Sequence, residues 1–208
     1  MLVEAPAHLT FEELAALPAA AGTAANALFF GPMPFTKGMT ILTQGTGGLA
    51  SACGATVIAT SSSSSKLEVA RQMGATHLIN YKTTPDWAEE VLKLTDGKGV
   101  DHVLDVAGAG TIEQSLKATR QAGLVSLIGF LSEPQKYDIV PAMLFGAKTL
   151  RGVFQIRTDM VAKVLEVYGE HHLRPQISET FEWKDAKDAF AALVHQTGVG
   201  KIVIKVGD

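Results

Sequence analysis

From Met39 onward the chain alternates between two hydrophobic periods, and this alternation restricts its fold more than any other feature. Short apolar runs occur at Thr40–Thr43, Thr56–Thr60, His77–Asn80, His102–Val106, Leu124–Phe130 and Thr149–Phe154. They are nearly continuous in Val, Ile and Leu, as strands covered on both faces of a parallel sheet require. Helix signals lie between them. Ser65 and Glu68 have capping-box spacing, with Leu67, Ala70 and Met73 behind them and Gly74 as a stop. Thr84-Pro85-Asp86 offers an N-cap, a proline at N1 and an acid in the first turn, ahead of Trp87, Val91 and Leu94 on one face. Thr111 and Gln114 repeat the capping box before Ile112 and Leu116. Thr158 or Asp159 can cap a helix faced by Val161, Val164, Leu165 and Tyr168. Ala186, Phe190, Leu193 and Val194 mark a last helix, and Lys201–Val206 a last strand. Strands alternating with helices imply right-handed βαβ units, so the expected fold class is α/β, a Rossmann-type doubly wound parallel sheet.

Residues 1–38 stand outside the alternation and read as an Ala-rich helix, a turn, a second helix and a Pro/Gly loop at Gly31–Pro34. With 208 residues, 47% of them apolar and 19% charged, the chain can build a core and holds one domain with part of another. Eighteen basic against 21 acidic residues give a net charge of −3, which excludes the basic excess of a dedicated nucleic-acid binder or a polybasic membrane anchor. The apolar stretch from Leu14 to Phe30 is broken by Pro18, Gly22, Thr23 and Asn26, short of an uninterrupted membrane span. No basic residue precedes Lys37, so a signal-peptide n-region is missing and a cytoplasmic setting is expected. Cys53 is the single cysteine and reads as a packed thiol; no intrachain disulfide can form. The six histidines show no metal spacing, and the adjacent His171 and His172 suit a helix C-terminus.

Gly45-Thr46-Gly47-Gly48-Leu49-Ala50 follows the first strand and fits G-x-G-x-x-G/A. Such glycines give a tight turn and let a pyrophosphate approach the backbone; a plain turn is the alternative. An acidic residue at the end of the second strand would hold a ribose 2′-hydroxyl. Thr60, five serines and Lys66 stand there instead, which favours a 2′-phosphate and therefore NADP; a polar loop with a helix cap is the alternative. Glu68 is explained by its capping position. There is no Tyr-x-x-x-Lys pair, since Tyr168 is followed at that spacing by His172, and no Gly-x-Ser-x-Gly elbow.

Several stretches together resemble the medium-chain dehydrogenase/reductase superfamily, in its zinc-type alcohol dehydrogenase-like and quinone oxidoreductase-like branch. They are Leu17–Leu28, Gln44–Gly48, Ile58–Lys66, Gly74–Tyr81, Gly99–Gly108, Ile128–Leu131, Leu150–Val153 and Gly200–Val206. The resemblance implies cofactor-binding roles. Thr23 would contact the nicotinamide side, and Gly45, Thr46, Gly47 and Gly48 would line the pyrophosphate. Ser62, Lys66 and Tyr81 would surround the 2′-phosphate. Val106, Gly129, Phe130 and Val153 would flank the nicotinamide ribose and ring; for Tyr81, Phe130 and Val153 core packing is an equal alternative. It also implies a small-molecule carbonyl, quinone or enone substrate and a homodimer through a sheet edge. It further implies domains at 1–38 (catalytic-domain remnant and interdomain helices), 39–175 (dinucleotide-binding) and 176–208 (return to the remnant).

Three departures shape the expectation. The family's catalytic domain is largely missing, so no catalytic residue is assigned, and a catalytically silent dinucleotide-binding or interaction module is the alternative to an active enzyme. Ala19 stands where the zinc branch carries a cysteine ligand, so no metal site is expected. Only five residues, Leu49 to Cys53, separate Gly48 from Gly54. They make about one and a half helical turns, roughly 7.5 Å. A strand of ~17–20 Å is too long for that helix to run back beside it, so the first crossover is expected to be shortened.

Overall fold

The computed structural model describes residues 2–207 other than 46, 134, 155, 196 and 197. The elements run α1 (Phe11–Phe29), β1 (Thr40–Thr43), α2 (Gly48–Ala52), β2 (Thr56–Ser61), α3 (Ser64–Gln72), β3 (His77–Asn80), α4 (Trp87–Leu94) and β4 (Val100–Asp105). They continue α5 (Ile112–Ala118), β5 (Thr119–Leu127), α6 (Val140–Gly146), β6 (Thr149–Gly152), α7 (Thr158–Glu170), β7 (Ile177–Glu182), α8 (Ala186–His195) and β8 (Lys201–Lys205). Two compact units form, residues 26–155 and residues 1–25 with 156–208.

The larger unit holds a six-stranded parallel sheet in the order β3-β2-β1-β4-β5-β6. This is the doubly wound α/β arrangement that the alternation implies. Ile41, Leu42, Val57, Ile58, Val103, Leu124 and Val125 are fully buried, which explains why these strands are apolar without alternation. On one face Trp87, Ala88 and Val91 of α4 and Ile112, Leu116 and Ala118 of α5 pack on Leu42, Ile58, Ile79, Val100, Val103 and Val125. Each large apolar side chain in that cluster contributes about 1.5–3 kcal/mol relative to exposure.

Local helix signals were partly redirected by tertiary partners. The N-cap of α4 is Asp86 rather than Thr84. The Ala88 N–H of its first turn donates to Gln114 Oε1 at 3.0 Å, while Gln114 Nε2 donates to the Pro85 carbonyl at 2.9 Å. Gln114 thus caps a neighbouring helix, not its own. Ser65 lies inside α3, its hydroxyl 2.7 Å from that of Ser63, and Glu68 pairs with Arg71.

The expected helix–turn–helix at the start is instead one helix, α1, which passes through Pro18 and Gly22. An interior proline costs about 3 kcal/mol. Burial of Ala16, Leu17, Ala21, Ala25, Ala27 and Leu28 along the helix offsets that loss. A Cβ at Gly22 would come within 2.7 Å of Ile156, so the glycine serves a close approach, not a turn. In the smaller unit β7 and β8 pair in parallel with α8 as their crossover. Arg174 there pairs with Glu13 at 2.7 Å.

The first crossover is short, as expected, with α2 limited to five residues. It still closes a parallel pair in which Thr40 faces Thr56 and Thr43 faces Ala59. The distance to return is shorter than the expected ~17–20 Å, because β1 is four residues, roughly 13 Å at 3.3 Å per residue. Residues 53–55 complete the return. Gly38 N–H donates to the Gly54 carbonyl and Thr56 N–H to the Met39 carbonyl, each at 2.9 Å. Among the described residues no helix is long and apolar enough to cross a membrane.

Candidate cofactor site

The carboxyl ends of the strands gather most of the residues singled out in the sequence. Strand order reverses between β1 and β4, the place where doubly wound sheets open a ligand crevice. The glycine turn sits there. Gly47 has φ +66° and ψ 10°, the left-handed region that an L side chain rarely adopts. A Cβ on it would also approach Val57 Cγ1 to 2.8 Å and the Thr43 hydroxyl to 3.0 Å. A Cβ on Gly48 would come within 2.8 Å of Met73 Cε. Gly45 is different: nothing lies within 4 Å of the position its Cβ would take. The turn therefore packs on its inner side through Gly47 and Gly48 and leaves open space at Gly45. Thr43 fixes its start by donating its hydroxyl to the Gly45 carbonyl at 2.8 Å. Thr46 lies outside the described residues.

A second group forms at the ends of β4 and β5. A Cβ on Gly129 would meet the Val106 carbonyl oxygen at 2.3 Å, and one on Gly108, at φ +82°, would meet the Gly129 carbonyl at 2.8 Å and Phe130 Cα at 3.1 Å. Two missing side chains thus bring the backbones of Val106, Gly129 and Phe130 together. The Phe130 ring is 91% exposed. Val153 is 5% exposed, its N–H donating to the Leu127 carbonyl at 2.8 Å, so its side chain belongs to the core.

A third group lies at the ends of β2 and β3. Ser61 is in register with Asn80, and Tyr81 N–H donates to the Ser61 carbonyl at 3.1 Å. Ser62 and Tyr81 therefore leave neighbouring strands side by side. Lys66 stands in the first turn of α3, and Tyr81 is exposed. Glu68, the nearest acidic residue in sequence, is held by Arg71 at 3.3 Å. Thr23 belongs to the other unit, on α1, where its hydroxyl donates to the Ala19 carbonyl at 2.6 Å.

Two residues were not singled out from sequence. Gln44 Oε1 accepts from Val106 N–H at 2.9 Å and Ala107 N–H at 3.0 Å, tying the glycine turn to the end of β4. Asp105 is 0% exposed. Its Oδ1 accepts from Gly108 N–H at 2.8 Å, Ala107 N–H at 3.1 Å and the Thr111 hydroxyl at 2.8 Å, and its Oδ2 from the Ser115 hydroxyl at 2.6 Å. The available signal was a lone carboxylate closing an apolar strand, since a buried charge must find donors. This network fixes the shape of the β4 loop.

The set fits a dinucleotide in chemistry: a left-handed glycine turn at the reversal point, open space at Gly45, and hydroxyls with an ammonium beyond β2.

Residues 43–170 match the family described as zinc-binding dehydrogenase. The chain belongs to this family. It lies within the medium-chain dehydrogenase/reductase superfamily. A zinc-type alcohol dehydrogenase-like protein of Schizosaccharomyces pombe is 38% identical over 217 residues, covering 99% of this chain and 63% of its own length. A 2-haloacrylate reductase of Burkholderia sp is 47% identical over 79 residues, 38% of this chain and 23% of the relative. A solved NAD-dependent alcohol dehydrogenase superposes with a TM-score of 0.89 at 30% identity, covering 99% of this chain and 62% of that one. The chain thus spans less than two thirds of the length of those relatives.

Proposed function

We propose that this chain binds NADP(H) and serves an oxidoreductase of the alcohol dehydrogenase-like and quinone reductase-like type. The substrate class is a small carbonyl compound, quinone or enone. The observation that carries the reading is the Gly47 turn, left-handed and backed by Val57, at the reversal point of the sheet. A bound nicotinamide dinucleotide would supply the hydride. The residues of this chain bind and orient: Gly45 admits the pyrophosphate to the backbone, Gly47 and Gly48 seat the turn on Val57 and Met73, and Val106, Gly129 and Phe130 form the wall beside the nicotinamide end. No general acid is assigned.

NADP(H) is favoured over NAD(H) by the residues beyond β2. Lys66 offers a cation, Ser62 a hydroxyl donor and Tyr81 a phenol, while Glu68 is occupied by Arg71. Lys66→Ala is expected to weaken NADPH by about tenfold or more, roughly 1.4 kcal/mol, and to leave NADH nearly unchanged. Fluorescence titration of both nucleotides checks this; equal loss for both would remove Lys66 from the phosphate site.

A second reading, a catalytically silent dinucleotide-binding or interaction module, is favoured by the five-residue α2. Rapid NADPH-dependent quinone or enone reduction by the purified chain would refute it.

The homodimer is part of the proposal. Strand β6 ends the sheet, and beside it α6 buries none of its residues, leaving Val140, Leu144 and Phe145 exposed. An uncovered edge beside apolar side chains invites strand pairing. Light scattering on the eluting protein is expected to give twice the 22.0 kDa chain mass. A stable monomer would contradict the dimer.

A further inference from the structure

Gln44 follows the last residue of β1 and precedes the open Gly45 position. A primary amide side chain has one acceptor oxygen and one nitrogen carrying two donors. Both main-chain groups that meet this amide, at Val106 and Ala107, are N–H donors, so they must face its oxygen. The opposite orientation would set donor against donor. The orientation is therefore dictated by the network, and Nε2 is the end left over.

Among the described residues, Gln44 Nε2 is the only buried side-chain nitrogen or oxygen without a hydrogen-bond partner. Buried polar groups in folded proteins are almost always paired, and an exception calls for a function. Holding Val106 and Ala107 needs only the acceptor; the donor is surplus to that task. Its place is informative. Gln44 N–H still reaches the Leu104 carbonyl at 3.4 Å, so the residue remains anchored between β1 and β4, where the strand order reverses. This reversal point is where doubly wound sheets open their ligand crevice.

We propose that Gln44 is a ligand-binding residue whose Nε2 donates a hydrogen bond to a pyrophosphate oxygen of the bound dinucleotide. The proposal rests on the cofactor reading above and names a further residue of that site. A phosphate oxygen is the acceptor because the adjoining turn, open at Gly45 at the reversal point of the sheet, is the part of the crevice that admits one. Nε2 is covered in the structure, so binding shifts its cover. Through Oε1 the same side chain then connects the pyrophosphate turn to Val106 on the nicotinamide side.

The test uses the full chain labelled with nitrogen-15. The Gln44 side-chain amide pair is assigned by its loss in Gln44→Glu, a variant that keeps an acceptor toward Val106 and Ala107 and removes the donor. NADP⁺ and adenosine 2′,5′-bisphosphate, which lacks the pyrophosphate and the nicotinamide half, are titrated separately, with binding followed independently by tryptophan fluorescence. The expected result is a saturable downfield shift of the Gln44 amide pair with NADP⁺ and none with the bisphosphate. Gln44→Glu is expected to bind NADP⁺ at least tenfold more weakly and the bisphosphate within twofold of the parent chain. If NADP⁺ binds by fluorescence while the Gln44 pair stays still, or moves equally with the bisphosphate, the proposal is wrong and the cofactor reading stands. If neither ligand binds the folded chain, the cofactor reading fails and takes the proposal with it. Should Gln44→Glu not fold, removal of the pair by Gln44→Met supplies the assignment and the parent spectra decide.

Discussion

Asp105→Ala is expected to destabilise the chain by about 3–5 kcal/mol, a large share of the ~5–15 kcal/mol that holds a typical domain folded. The carboxylate is fully buried and receives two main-chain N–H groups and the hydroxyls of Thr111 and Ser115. Alanine leaves the Gly108 N–H and the Ser115 hydroxyl without this acceptor, while the Ala107 N–H keeps Gln44 Oε1 and the Thr111 hydroxyl keeps the Gly108 carbonyl; each unmet buried donor costs about 1–3 kcal/mol before any relaxation. The damage reaches the candidate site, because the same network shapes Val106–Gly108 and the start of α5. Asp105→Asn should be much milder, about 1–2 kcal/mol. Its oxygen still accepts from Ala107 and Gly108, and its amide can donate to hydroxyls that rotate. Urea unfolding of both variants checks the ranking. A loss below about 1 kcal/mol for Asp105→Ala would mean that the network is not what holds the β4 loop.

Acid should weaken the fold through His102. This histidine on β4 is 3% exposed, and its Nε2 lies 2.8 Å from the buried Ser126 hydroxyl on β5. Burial is the main cause that lowers its pKa to about 4; the positive Arg151 adds to the effect and Asp101 opposes it. The folded value lies below the ordinary 6.5, so the unfolded chain binds the proton more readily. The stabilisation is therefore complete above about pH 6.5 and is lost as pH falls toward 4, with a full size of roughly 3 kcal/mol. His102→Gln keeps a polar partner for Ser126 and cannot titrate. Melting temperatures measured from pH 7 to pH 4 should fall more steeply in the parent chain than in this variant. Parallel curves would contradict a neutral, buried His102.

The central sheet was legible because its inner strands β1, β2, β4 and β5 carry one message: apolar runs between helix signals, buried on both faces. Strand β5 begins five residues earlier than the apolar run suggests, because Thr119 already pairs with Val100 before a register shift leads to Leu124, and residue type does not report such a main-chain pairing. Helix α6 gave no signal because none of its residues is fully buried; Ala142 and Met143 only lean on the core. Continuation of α1 through Pro18 could not be read either, since the compensating burial is tertiary. Gln114 illustrates the same limit, with a capping-box residue serving Ala88 on another helix. In the candidate site the glycines carried their meaning locally, since Gly47 needs a positive φ whatever surrounds it. Gln44 acts through groups far along the chain, Asp105 through a loop whose folding back no residue pattern reports, and Val153 turns into the core, so neither pattern nor spacing distinguished them.

The most direct test of the cofactor reading is a fluorescence titration of the purified 208-residue chain with NADPH and, separately, NADH. The account predicts saturable binding of both, with NADPH tighter by about tenfold, as one added phosphate contact of roughly 1.4 kcal/mol implies. Absence of saturable binding by a chain that circular dichroism shows to be folded would contradict it, and would mean that the five-residue α2 leaves no working pyrophosphate turn.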